Sequence, residues 1–151
     1  MEKPRMLKRM DAISRPVAPS YSAEESVSSD ISYLTAELMA SRTSFHLLHL
    51  KVKGPGSFAA HMALNELYDA LPDLVDTIVE GFQGVEETIL ECAPVEPKVL
   101  EDVEDAINYL RMLYKKVTMV QGKVPYSEIV NNMDLIKDAI SKAKYKLLFL
   151  K

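Results

Sequence analysis

The residues of this chain best suited to metal chemistry lie in a short span. His46, His49 and His61 are its only histidines, and Asn65, Asp76 and Glu80 follow on the same segment. A neutral imidazole nitrogen binds transition metals, and carboxylates supply hard oxygen donors. His61 and Asn65 are four residues apart, as are Asp76 and Glu80, so on a helix each pair shares one face. Asn65 and Asp76 are eleven residues apart, close to three full turns, so all four share one stripe. The fifteen residues from His61 to Asp76 span roughly 22 Å of helix axis at about 1.5 Å per residue. One ion cannot reach both ends within one chain. Two copies packed antiparallel about a two-fold axis would bring each His61/Asn65 end to the other's Asp76/Glu80 end and form two sites at once. Mixed nitrogen and oxygen donors without sulfur suit iron, manganese or zinc better than calcium. The same spacing also describes the wet face of an amphipathic helix, which is the commoner case.

Four helices must position these residues. Ser22 suits an N-cap, with Glu24 and Glu25 in the first turn. Val27, Ile31, Leu34, Leu38, Phe45 and Leu48 then recur at helical steps, interrupted around Ser41–Ser44, until Gly54-Pro55-Gly56. Ser57 suits the cap of a second helix with Phe58, Met62, Leu67, Leu71, Leu74, Val75, Ile78 and Val79 inward. Pro72 lies inside it and predicts a kink, since it removes one hydrogen bond, and Gly81 and Gly84 predict its fraying end. A connection holding Cys92 and Pro94 leads to a third helix with Pro97 near its first turn and Val99, Val103, Ile107, Leu110, Leu113 and Val117 inward. After Gly122–Pro125, Ser127 suits the cap of a fourth with Ile129, Met133, Ile136, Ile140, Ala143, Leu147 and Leu148 inward. No strand pattern intervenes, so the expected fold is an all-α four-helix bundle over residues 22–151. The connection after the second helix either turns back tightly or crosses the bundle.

Composition narrows the function classes. At 151 residues one domain is expected, and 48% hydrophobic residues with no Trp and five Gly favour helix. One cysteine excludes an internal disulfide and fits a reducing compartment. There is neither an apolar run long enough for a membrane span nor a secretory h-region, so a cytoplasmic location is expected. The net charge of −4 argues against a general nucleic-acid binder. Residues 1–21 form an expected flexible basic arm, in which Lys3, Arg5, Lys8, Arg9 and Arg15 outweigh Glu2 and Asp11 to leave +3. The body then carries −7, and the arm offers a weak, salt-sensitive contact for DNA phosphates.

The stretch "HLKVKGPGSFAAHMALNELYDAL…DLVDTIVEGFQG" resembles the Dps family, the mini-ferritins of the ferritin-like superfamily. That signature reads like His-Trp-Asn-Val-x-Gly-Pro, a second His twelve residues after the first, then Asp, Glu-Leu-Tyr and a later Asp-x-x-x-Glu. His49, Val52, Gly54, Pro55, His61, Glu66-Leu67-Tyr68, Asp76 and Glu80 fall in register without a gap. The specific match covers about 35 residues of the chain.

The resemblance implies a ferritin-like bundle and a dodecamer-type shell built on two-fold dimers. Its ferroxidase centre would take His49 and His61 from one subunit and Asp76 and Glu80 from the next, with Asn65 as a fifth donor. It implies oxidation of Fe(II) by peroxide or oxygen at a mono- or di-iron site, mineral storage, and DNA protection through the arm; zinc and manganese suit the same donors. Three departures stand out. The family's Asp after the second His is Asn65 here, with adjacent Glu66 about 100° away around the helix; its Trp after the first His is Leu50; and the connection after the second helix looks too short for the family's extra small helix. The short chain and its "YKLLFLK" ending look more like compact ferritin-like proteins of tailed phages, which would place it in the host cytoplasm. The alternative is the same shell with an impaired metal site, used to bind DNA or as structure.

Three further expectations concern single groups. Tyr109, Tyr114 and Tyr145 are expected in the core, and His46 as packing or surface rather than beside the metal. Glu101, Asp102, Glu104 and Asp105 read as a solvated face, or else the lining of an iron entry path.

Overall fold

A computed structural model describes residues 26–150. They form four helices, α1 (Val27–His49), α2 (Ser57–Glu86), α3 (Val103–Gln121) and α4 (Ser127–Phe149), with no strand among the described residues. The expected all-α, four-helix architecture is thus present. The arm with Lys3, Arg5, Lys8, Arg9 and Arg15, and the Ser22 cap, lie outside the described residues.

Each helix starts where local chemistry permits. Ser26 caps α1, its hydroxyl accepting from the Ser29 N–H, and Asp102 caps α3 by accepting from the Asp105 N–H. Two expected caps fall one residue inside their helices, because Gly56 and Tyr126 hold the capping positions before Ser57 and Ser127. Nothing breaks α1 at Ser41–Ser44: the hydroxyls of these buried serines donate back to the Leu38 and Ala40 carbonyls at 2.7 and 3.3 Å. Helix α2 continues through Pro72 and past Gly81 and Gly84 to Glu86.

Helix α1 packs on α2 and α3, and α4 packs on the same two, leaving α2 and α3 diagonally opposed. Residues 87–102 therefore cross the bundle. The crossing leaves the end where the Tyr126 hydroxyl donates to Glu86, and arrives where Lys51 pairs with Glu101 at 3.0 Å. It carries no helix, and α3 begins at Val103 rather than near Pro97. Helices α2 and α3 consequently run parallel, and the order is up, down, down, up. Lys98 pins the crossing to the bundle, lying 3.8 Å from Glu37 of α1 and 4.4 Å above the Tyr109 ring of α3.

The core fills with Leu38, Phe45, Leu64, Leu71, Phe82, Leu110, Leu113, Met133 and Ile136. Four residues expected inside are exposed: Phe58, Met62, Val99 and Tyr145. Phe58 and Met62 share the His61 stripe, and Ala60, Ala63 and Leu64 turn inward in their place. Val99 belongs to the extended crossing, where its neighbour Leu100 is buried instead. Tyr109 is buried and Tyr114 half-buried, but Tyr145 is exposed. No described helix is long and apolar enough to cross a membrane.

Candidate metal centre

His49 is the last residue of α1, and the bend that follows turns it toward α2. Gly54 and Gly56 take φ of 86° and 77°, left-handed values that favour glycine, on either side of Pro55. The Ser57 N–H then bonds the Gly54 carbonyl at 3.1 Å and starts α2 antiparallel to α1. This brings His61, just past the first turn of α2, against His49.

The two Nε2 atoms lie 3.0 Å apart with the rings stacked at 3.7 Å. The Nδ1–H of His61 donates to the His49 carbonyl oxygen at 3.2 Å, since a carbonyl can only accept. With a neutral His61 this leaves its Nε2 bare, and the proton between the two Nε2 atoms then belongs to His49. The Nδ1 of His49 is buried and has no hydrogen-bond partner among the described residues. Burial first, then the neighbouring His61 and His46, hold the His49 pKa below its usual value, while Asp69 pulls it up. His49 is thus biased toward the neutral form, the one that ligates metal.

Two nitrogens each about 2.1 Å from a metal can lie no more than about 4.2 Å apart, and the observed 3.0 Å satisfies that limit. A divalent cation between them would replace the shared proton. The histidine pair fits a metal in this respect, with one cost: the His49 proton would move to an Nδ1 that faces no acceptor among the described residues.

Asn65 lies one turn beyond His61, and both ends of its amide are engaged. Its Nδ2 donates to Asp69 Oδ2 at 3.0 Å, and its Oδ1 accepts from the Tyr68 hydroxyl at 2.7 Å. Buried Tyr68 stacks on His46 at 4.1 Å and sets its edge against His49 at 5.2 Å. His46 is therefore packing. The signature placed Tyr68 in register but gave it no role, and Asp69 was not singled out, although both stand at helical spacing from Asn65.

Asp76 and Glu80 lie further along α2, exposed and without a hydrogen bond or ion pair among the described residues. The fold of one chain does not bring them to the histidines. No three His, Cys, Asp or Glu side chains of the described residues group closely enough to hold a metal. The acidic run at the start of α3 has local uses: Asp105 accepts from the Glu101 N–H at 2.8 Å, and Glu104 pairs with Arg111 at 3.5 Å. Cys92 is exposed in the crossing.

Fold and site together define an all-α four-helix protein with one bundle-length crossing and a histidine pair at the α1–α2 bend. Residues 49–147 match a family of unknown function (DUF5856), and the chain belongs to it. The matched span runs from His49 past Glu80, so all five candidate donors lie inside it. No curated protein and no solved structure shows a significant match.

Proposed function

We propose that this is a Dps-like, ferritin-like protein that binds and oxidises Fe(II) at sites shared between two subunits of a hollow homo-oligomeric shell. The observation that carries this reading is the convergence of the His49 and His61 Nε2 atoms at 3.0 Å, while Asp76 and Glu80 have no partner among the described residues and lie out of reach. A histidine pair alone is half a coordination shell. The unpaired carboxylates on the same stripe of α2 supply the other half only to a second copy. The single long crossing between the second and third helices is also the connectivity of ferritin-like folds, which supports the same reading.

In this account iron is the substrate. His49 and His61 hold Fe(II), and Asp76 and Glu80 of the neighbouring copy favour the Fe(III) product, as hard oxygen donors do. Peroxide or oxygen accepts the electron that each Fe(II) releases.

Asn65 favours a second reading, the same shell with an impaired site that serves DNA binding or structure. Its amide is held by Tyr68 and Asp69 and carries no charge to attract a cation. An Fe(II) oxidation assay on wild type, Asn65→Asp and His49→Ala separates the two. The ferroxidase reading requires wild type to outpace buffer and His49→Ala to lose that advantage. If neither wild type nor Asn65→Asp outpaces buffer, the ferroxidase reading is lost.

A further inference from the structure

We propose that the end of the bundle where α1 finishes and α2 begins is a docking surface for a second copy of this chain, separate from the α2 stripe. Four segments meet there: the α1 C-terminus, the Gly54–Gly56 bend, the end of the crossing and the α4 C-terminus. Between them opens a cavity of about 590 Å³ floored by Leu48, Ala60, Val103, Leu147 and Leu150. Beside it, large apolar side chains face outward: Phe149 is 68% exposed and Leu50 68%. Phe149 leans on exposed Tyr145 at 5.6 Å and projects from the last residue of α4. The same end thus carries an apolar socket and an aromatic knob.

Charge decides what kind of partner fits. The rim carries Lys51 and Lys53 against Glu101 and Asp102, and Lys51 already pairs with Glu101 at 3.0 Å. A balanced rim gives no purchase to a polyanion or an anionic lipid surface, but two copies of it meet without net repulsion. Apolar side chains this exposed beside an open socket mark an interaction site, and Phe149 of one copy entering the socket of the next satisfies both.

This contact adds what the α2 stripe lacks. Pairing through α2 about a two-fold axis closes on itself and yields only dimers, so any larger closed assembly needs a second, different interface. The inference does not depend on the histidine pair binding iron.

The test is light scattering after size exclusion on the full chain in a chelator, with far-UV circular dichroism to verify folding. Phe149→Ser removes the knob, Val52→Trp fills the socket from its rim, and Tyr33→Ser changes an exposed residue at the other end. The expected result is an assembled wild type whose mass falls about two-fold or more in both Phe149→Ser and Val52→Trp, and not in Tyr33→Ser. A monomeric wild type, a mass unchanged by both end variants, or an equal loss in Tyr33→Ser overturns the inference. So does assembly that responds to metal alone and not to Phe149. The metal reading fails by a different sign, iron or cobalt binding that is indifferent to His49→Ala.

Discussion

His49 and His61 put their Nε2 atoms 3.0 Å apart from opposite environments, His49 buried under the end of α1 and His61 exposed on α2. The buried partner fixes the geometry and the exposed one leaves the pair open to solvent or a second subunit. A bend of seven residues, with glycine wherever φ turns positive, holds them there.

Acid should destabilise the protein through His49. Its pKa is lowered in the folded state by burial and by His61 and His46, so the unfolded chain binds the proton more tightly. The stabilisation is complete above the unfolded value of 6.5 and is lost as pH falls through that value toward the folded one. Urea unfolding between about pH 8 and pH 5 should show a steeper decline for wild type than for His49→Gln.

The bend should be sensitive to a single methyl group. Gly54 has open space around it but a φ of 86°, so Gly54→Ala is opposed by backbone strain and not by a clash. A loss of about 1–2 kcal/mol is expected in chemical unfolding. Metal affinity should fall with it, since the bend sets the approach of His49 to His61.

The crossing should loosen when its anchor is removed. Glu37 is 14% exposed and takes both Lys116 and Lys98. Burial and Glu37 together raise the Tyr109 pKa. The lysines are nearly half exposed, so Glu37→Ala should cost only about 1–2 kcal/mol. Amide hydrogen exchange should rise over residues 95–100 before it rises in the helices.

Asn65→Asp should trade apo stability for metal binding. It would set a second carboxylate where the Asn65 amide now donates to Asp69, a like-charge pair at i,i+4 worth about 0.5 kcal/mol of destabilisation. Calorimetric titration with Co(II) should nonetheless show affinity raised by about tenfold.

The periodicity of Ile31, Leu34, Leu38, Ile107, Leu110, Met133 and Ile136 was enough to read four helices and most of the core. Phe58 and Met62 misled because apolar spacing reports a helix but not which of its faces a single chain covers. Val99 misled because helical spacing was carried across residues that the crossing holds extended. The choice between a tight return and a crossing needed tertiary contacts, chiefly Lys51 with Glu101 and Tyr126 with Glu86. At the site, twelve-residue spacing across a Gly-Pro-Gly bend made the histidine pair legible. The engagement of Asn65 by Tyr68 and Asp69 was not, because rotamers decide it.

The central claim is that the two halves of the site come from different copies, and subunit mixing tests it most directly. His49→Ala and Asp76→Ala should each abolish Co(II) binding alone. Unfolded and refolded together, they should recover about a quarter of the wild-type sites, because mixed dimers are half of the population and each holds one intact site. Recovery at that level is the predicted result. Binding by Asp76→Ala alone at wild-type level, or no recovery in a mixture shown to contain mixed dimers, would contradict the shared site.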